Sequence, residues 1–507
     1  MMQSPLPPDP HKEELFALCG ELLSQRPLIV GNNRGPLEFH LTPDGQLQPR
    51  RGSGVIVTAL NSLTQAFEFI WVANTMGEGD RRALELADGK HIPSPLPSQR
   101  VSVRYVVTPR RVYHKFYNIL CNPLLWFLQH SLWSPAYTPN IDSTVYDAWT
   151  GGYEPVNRAM ADAIIDEARS GSTPPMVMLH DYHLYLVAGM VRQALPDALI
   201  QHFIHIPWPT PQLWLLLPGS MRSAICGSLC AADVVGFQSS WDTHAFLESC
   251  RWFLPDAHVD FAEGSVEVNG HRTLVRAYPT SIDVEEMRLI GGSPRALEYE
   301  GRLKARAAEH TIVRVDRTEP SKNILRGFRA YETFLARHPE FHQRVTFLAF
   351  LVPSRTHIKQ YERYTEETNS LIRNINSTYG TSTWSPVQAF QENNYTQAIA
   401  GMRLYDTLLV NPVADGMGLV AKEGPIVNTR DGVLILSEST GAFGQLKEGA
   451  LAVAPADLEG TAEAFYQAVT MPMEERQRRA SILKEAIGRE DATHWLLSQM
   501  QDLAALL

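Results

Sequence analysis

The 507-residue sequence predicts an α/β protein of two doubly wound halves, each a mostly parallel sheet flanked by helices. Three observations carry that prediction. From Pro27 onward, short apolar runs alternate with amphipathic stretches, the pattern of βαβ units. The alternation occurs as two successive series, separated by a break near Pro279 to Glu286 where a Pro and a Thr-Ser pair interrupt it. A chain of 507 residues, at roughly 150 residues per domain, is also too long for one domain.

Taken in order, residues 1–26 read as an extension, a Pro-rich start followed by HKEELFALCGELLSQ with apolar residues at helical spacing. The first half, 27–282, carries the buried-strand runs LIVG (28–31), FIWVA (69–73), MVML (176–179), ALIQHFIHI (198–206) and DVVGF (233–237), with helices over 184–195 and 211–230. The second half, 283–480, repeats the pattern in TIVRV (311–315), RVTFLAFLV (344–352), TLLVNP (407–412), GVLILS (432–437) and ALAVAP (450–455). Residues 481–507 form a helical end expected to cross back to the first half. In such sheets ligands bind at the carboxyl ends of the strands, so the informative polar residues should lie just after the apolar runs.

Composition narrows the function. A hydrophobic fraction of 44% with 20% charged residues fits a globular chain and excludes a disordered, collagen-like or coiled-coil one. Lys and Arg total 45 against 55 Asp and Glu, a net charge of -10, which predicts neither a nucleic-acid partner nor a membrane-surface one. The longest apolar runs fall far short of the roughly 18 residues of a membrane span, and the opening MMQSPLPPDPHKEE shows no secretory leader. Five cysteines make neither a disulfide framework nor a zinc motif, and the reducing cytoplasm is the expected compartment.

Five constellations stand at the ends of apolar runs. LIVGNNRGP places Arg34 in a glycine-bearing turn, and RRGSGVIV adds Gly52 and Gly54 before a helix, two potential anion contacts. MVMLHDYHLYL sets His180, Asp181, Tyr182 and His183 between strand and helix; no further ligand motif completes a metal site, and contact with a sugar is the better reading. FIHIPWPTP brings His205 to the same end of the sheet. TIVRVDRTEPSKN places Arg317 and Lys322 on one loop, as a surface ion-pair cluster or as a grip on a diphosphate. No Walker sequence accompanies them. Finally DGMGLVAKE, after TLLVNP, exposes backbone N–H groups around Asp415 and sets Glu423 two helical turns on, where a carboxylate could accept both hydroxyls of a ribose.

Together these residues closely resemble the trehalose-6-phosphate synthase family of retaining glycosyltransferases. HDYHL, HIPWPTP, GFQ, R-x-x-x-x-K, DGMGLVAKE and LSESTGA occur in the family's order between about Leu28 and Ala480. The resemblance implies a GT-B architecture, two Rossmann-like domains around a central cleft. It implies a nucleotide sugar, UDP- or GDP-glucose, as donor and a phosphorylated sugar as acceptor, with no cofactor and no metal. It further implies Gly54, His205, Arg317, Lys322, Asp415, the segment Gly416, Met417, Gly418, Leu419 and Val420, and Glu423 on the donor. On the acceptor it implies Arg34, Tyr117, Trp126, Asp181 and Arg355. His205, Arg317, Lys322 and Asp181 are the expected catalytic set.

The implied reaction moves glucose to glucose 6-phosphate, giving α,α-trehalose 6-phosphate. Because the resemblance assigns Asp181 and Asp415 to hydroxyl binding, a same-face displacement is preferred to a covalent intermediate. The usual Asn of DGMNLVAKE is Gly418 here, and STGAFGQL departs from the family pattern. These departures keep three alternatives open: a glucosylglycerol-phosphate synthase, a pseudo-glycosyltransferase joining cyclitols, and a catalytically idle sugar-phosphate sensor. Homo-oligomerisation is also left open.

Overall fold

A computed structural model describes residues 10–52, 55–97, 99–134 and 140–507. The chain divides into two compact units, Met1–Pro279 with Ala492–Leu507, and Thr280–Asp491.

The first unit holds twelve strands among its described residues: β1 Leu28–Gly31, β2 Leu37–Leu41, β3 Leu47–Arg51, β4 Ile70–Asn74, β5 Ile92–Pro93, β6 Ser102–Val106, β7 Met176–His180, β8 Leu199–Phe203, β9 Val234–Phe237, β10 His258–Asp260, β11 Ser265–Val268 and β12 His271–Ala277. Ten form one sheet in the order β10-β11-β12-β9-β8-β7-β1-β4-β6-β5, while β2 and β3 pair as a separate hairpin. The sheet is parallel from β12 to β6 and antiparallel only at its two edges. Its central strands are buried along their whole length because both faces are covered, so they read as unbroken apolar runs rather than alternating ones.

One face of this sheet packs Val30, Trp71, Met178, Phe203 and Val234 against two terminal helices. Pro10–Gln25 contributes Leu15, Cys19 and Leu22; Ala492–Ala504 contributes Trp495, Leu496, Met500 and Leu503. A buried amide pair, Gln499 with Gln201 of β8 at 2.9 Å, and the Tyr278 hydroxyl donating to Asp502 at 2.5 Å tie the last helix down.

The second unit holds β13 His310–Arg317, β14 Val345–Val352, β15 Val387–Phe390, β16 Thr407–Val410, β17 Val433–Ser437 and β18 Leu451–Val453, all parallel, in the order β15-β14-β13-β16-β17-β18. The order reverses direction at β13, so the loops after β13 and β16 open at a topological switch point.

The unit boundaries differ from those expected at 282 and 480. Ile282 already belongs to the second core, and 480 falls inside the helix Met473–Arg489, whose Leu483 and Ile487 pack into that same core. Only the helix after Asp491 joins the first unit. The single helix expected over 211–230 is two, Pro211–Trp214 and Gly219–Leu229, because Pro218 cannot donate to the preceding turn and holds extended backbone. Likewise 184–195 begins as a tight turn at Tyr182–Leu184, and its helix proper is Val187–Ala194.

Candidate active site

In the first unit, β7 runs straight into Asp181, whose backbone sits at φ 74° and ψ 169°. A non-glycine residue there costs of order 1–3 kcal/mol, and the surroundings must impose it. They do: the Asp181 N–H donates to Phe203 O at 2.8 Å, and its carbonyl accepts from His202 Nε2 at 3.1 Å. Downstream, Tyr153 Oη donates to Tyr182 O at 2.7 Å, Asn157 to His183 O at 3.1 Å, and Tyr182 Oη to Asn122 at 2.9 Å. The turn that presents Asp181 is therefore clamped on three sides by buried polar groups.

His205, just beyond β8, meets His180 at 3.3 Å between Nε2 and Nδ1. Burial drives His205 down to about 3 and His202 to about 4, and His180 well below the ordinary histidine value. Burial thus favours the neutral imidazole at all three positions at pH 7. Phe203 and His205 pack on Trp495 of the last helix, at 5.4 and 6.4 Å between ring centroids.

The aromatic pair Tyr117 and Trp126 reaches the same turn. Tyr117 stacks between Tyr113 at 5.6 Å and His183 at 5.9 Å, with interplanar angles of 11° and 9°. Trp126 stacks on His130 at 4.0 Å and leans on Tyr182 at 5.8 Å; only 5% exposed, it offers little face to a ligand. Arg34 lies on the loop after β1, facing Glu38 at 3.8 Å. That loop is pinned by a chain of buried amides: Thr108 donates to Asn74, Asn74 to Asn33 at 3.1 Å, and Asn33 to Tyr113 Oη at 3.3 Å. Tyr113, with Thr75, Met76, Arg81 and Asn118, lines a cavity of about 410 Å³. Gly54 lies outside the described residues, and the helix that follows it, Val55–Ala59, has only five residues.

In the second unit Arg317 is the last residue of β13 and Lys322 ends the short turn Pro320–Lys322 that follows, so Arg317 is a strand residue rather than the loop residue expected. Arg317 bonds Glu319 Oε1 at 2.9 Å, and Lys322 forms an ion pair with Asp415 from the loop after β16. Burial alone would lower Lys322, but Asp415 and Asp316 more than reverse it and hold the ammonium charged. Arg355 sits at φ 46° on the loop after β14 and also bonds Glu319 Oε1, at 2.8 Å, with Ser354 Oγ donating at 2.6 Å. Glu319 is fully buried, yet the two guanidiniums and the hydroxyl overcome desolvation and hold its carboxyl at about 2.

A second buried pair supports the cations from behind. Arg314, fully buried, donates to Asp316 at 2.7 Å, to Lys322 O at 3.1 Å and to Asn411 at 3.4 Å, linking the loops after β13 and β16. The Val413 N–H to Ser321 O bond, 2.8 Å, adds a backbone tie.

DGMG and ESTGA, separate motifs in the sequence, are one structure. Asp415 bridges Thr440, the Gly441 N–H donates to Asp415 O at 3.0 Å, and the Ala442 N–H donates to Met417 O at 3.0 Å. A Cβ at Gly441 would lie 1.7 Å from Gly416 O, so only glycine lets the loops close. Gly418 has φ 73°, and a Cβ there would meet Thr440 Cγ2 at 2.8 Å. Any side chain at 418, the family's Asn included, would crowd Thr440 in this loop. Leu419 caps the helix Val420–Val427, which carries Glu423; its carboxylate is crowded enough to be raised above its ordinary value and accepts from Tyr395 Oη at 3.0 Å.

Sequence reasoning missed Arg314 and Tyr395, read Glu319 only as part of a surface ion pair with Arg317 and Lys322, and met Thr440 only as a letter of LSESTGA. Arg314 and Tyr395 stand in no spacing pattern; each is chosen by what its partner needs. Among the described residues no group of three His, Cys, Asp or Glu is arranged to hold a metal, and no helix is long and apolar enough to cross a membrane.

Residues 25–505 match glycosyltransferase family 20. A bifunctional trehalose-6-phosphate synthase/phosphatase of Thermoproteus tenax is 31% identical over 487 residues, covering 92% of this chain and 62% of that protein, so the chain spans less than two thirds of that relative. A validamine 7-phosphate valienyltransferase of Streptomyces hygroscopicus subsp. jinggangensis is 31% identical over 437 residues, covering 86% of this chain and 85% of that one. The solved structure of the E. coli protein bound with UDP-2-fluoro glucose superposes with a TM-score of 0.79 at 25% identity, covering 94% of this chain and 98% of that one. With the two parallel α/β units and the strand-end clusters already described, these matches make the chain a GT-B glycosyltransferase that belongs to family 20, the trehalose-6-phosphate synthase family.

Proposed function

We propose that this protein transfers glucose with retention from UDP-glucose to glucose 6-phosphate, releasing UDP and α,α-trehalose 6-phosphate. The observation that carries the reading is the second unit's cluster, in which Arg317, Lys322, Asp415 and Glu423 stand at the switch point of a parallel sheet. Lys322 has three N–H donors, so one on Asp415 leaves two for diphosphate oxygens. Arg317, 46% exposed, presents its guanidinium beside Glu319. Asp415 takes a donor-sugar hydroxyl, the 416–420 backbone the phosphates, and Glu423 the ribose. The uridine ligand of the E. coli relative favours UDP over GDP.

On the acceptor side, Asp181 accepts from a sugar hydroxyl, Tyr117 and Trp126 shape the pocket, and Arg34 and Arg355 meet the phosphate. His205, neutral, hydrogen-bonds the donor sugar. The acceptor hydroxyl attacks the anomeric carbon as the bond to the diphosphate oxygen breaks, on the same face. Its proton passes to that departing oxygen, whose growing charge Arg317 and Lys322 stabilise. No protein carboxylate bonds to the sugar, and no metal or other cofactor takes part. The cytoplasm is the compartment this reading assigns, in keeping with five cysteines all buried as thiols.

Purified protein incubated with UDP- or GDP-glucose and glucose 6-phosphate should release UDP and yield a disaccharide phosphate by mass spectrometry. Absence of both products would sink the reading. One rival has specific support: the valienyltransferase relative aligns over 85% of its length, and Gly418 alters the loop beside the donor phosphates. Product formed only from a nucleotide-activated cyclitol, and not from glucose donors, would favour it.

A further inference from the structure

We propose that Tyr395 is a positioning residue of the nucleotide subsite, holding the Glu423 carboxylate so that it accepts the cis-diol of a ribose. The inference rests on the reading of Glu423 as the ribose ligand and adds the residue that makes that ligand selective.

Tyr395 opens the helix Tyr395–Leu404, immediately after the loop that follows β15. Its phenol donates to Glu423 Oε1 at 3.0 Å and touches Met287 Sδ at 3.3 Å, while 47% of the residue stays exposed. A half-exposed tyrosine seldom needs a partner for its hydroxyl, since water would serve. Here the hydroxyl is within hydrogen-bond reach of both Met287 Sδ and the one carboxylate of the helix Val420–Val427, and the charged oxygen is the stronger acceptor. Met287 comes from the second unit's core and limits where the phenol can swing.

The geometry has a chemical consequence. An ionised carboxylate offers about four lone-pair sites. With the phenol on one site of Oε1, the carboxylate loses its freedom to rotate, and the remaining sites are aimed before ligand arrives. Two vicinal hydroxyls can then be met together, one on each oxygen, whereas a freely turning carboxylate would have to be ordered by the nucleotide itself. Tyr395 thus contributes affinity only where a ligand presents both hydroxyls, and it contributes little to a ligand with one.

The test uses the full-length protein and three nucleotides: UDP, 2′-deoxy-UDP and UDP-glucose. Tyr395→Phe should weaken UDP binding by calorimetry up to roughly tenfold, the cost of ordering one freed side chain on binding. Its KM for UDP-glucose should rise in parallel while kcat changes by less than about twofold. For 2′-deoxy-UDP the Tyr395→Phe penalty should fall below about threefold, since one hydroxyl needs no paired alignment. Equal penalties for the two diphosphates, or a Tyr395→Phe protein that binds UDP as the wild type does, would overturn the proposal. Glu423→Gln separates the two levels of inference. If it weakens UDP but Tyr395→Phe does not, the ribose reading stands and the role of Tyr395 falls; if Glu423→Gln leaves UDP affinity unchanged, the ribose reading itself is wrong.

Discussion

Replacing Glu319 by Gln tests the charge design of the second unit. The carboxylate is completely buried; one oxygen accepts from Ser354 at 2.6 Å and Arg355 at 2.8 Å and forms an ion pair with Arg317 at 2.9 Å. Burial would raise its titration; Arg317, Arg355 and Ser354 bring it from 4.5 down to about 2. At ~1.4 kcal/mol per unit that difference is worth roughly 3 kcal/mol of folding stability. Arg317 is nearly half exposed and its share is screened, so about 2–3 kcal/mol is the working figure. The sign follows from proton binding. Between pH 2 and 4.5 the unfolded chain holds more protons on this group than the folded one, so the contribution is complete above 4.5 and disappears as pH falls through that window.

Glu319→Gln should therefore lower stability by about 2–3 kcal/mol at pH 7, and the gap from wild type should shrink by about 1.4 kcal/mol at pH 3.5. Urea titration followed by hydrogen exchange at β13 and β14 reports this unit by itself. Activity should fall as well, because Arg317 and Arg355 lose the group that holds them; kcat/KM for the donor should drop by at least about tenfold. A Glu319→Gln protein within about 0.5 kcal/mol of wild type at pH 7, or one whose gap is the same at both pH values, would refute the reasoning.

Three further outcomes follow from the same structure. Gly418→Ala should cost about 1–2 kcal/mol and weaken UDP binding, and Thr440→Ser, which removes the Cγ2 that the new Cβ would strike, should restore part of both in the double variant, as read by denaturation and calorimetry. Burial pushes Lys422 down to about 7, so the unfolded chain binds more protons from there up to 10.5 and stability should rise across that window, by at most ~1.4 kcal/mol per unit; Lys422→Met should flatten the slope in urea midpoints taken from pH 7 to 10. Arg34→Ala should raise KM for the acceptor and leave UDP affinity as it is, whereas Arg317→Ala should weaken UDP; a change in UDP affinity alone from Arg34→Ala would reverse the division of roles.

Much of this architecture could be read in advance, for identifiable reasons. The central strands of both sheets are buried on two faces, and LIVG, MVML, TLLV and GVLILS are apolar but for a terminal Thr407 or Ser437 because of it. The strands toward the β10 end of the first sheet were not legible. β10, β11 and β12 alternate or carry charges, in HVD, SVEV and HRTLVRA, since that end of the sheet is partly exposed. The carboxyl-end loops were legible as places but not as geometry. Nothing in HDYH indicates that Asp181 adopts φ 74°, because that backbone is imposed by His202, Phe203 and Tyr153 from distant segments. Nor could the helical tail be divided at 491, since Leu483 and Trp495 are equally apolar and differ only in the core they enter.

The placement of carboxylates beside the proposed phosphate ligands resolves an apparent contradiction. A chain of net charge -10 needs local cations for doubly anionic substrates, yet Arg317 and Arg355 share Glu319, and Lys322 is paired with Asp415. Pairing seems to spend the charge that phosphate requires. Two guanidiniums and an ammonium on adjacent loops would, however, repel one another, and each would swing into water if nothing held it. Buried acceptors hold these cations in place before a ligand binds, so less ordering is left to the binding step. Glu319 suits this role because it is fully buried and cannot itself be reached by the phosphate; Asp415, partly open, holds Lys322 and is also the carboxylate proposed to meet the sugar. The two carboxylates are thus placed for different demands, support alone at Glu319 and support together with the proposed sugar contact at Asp415.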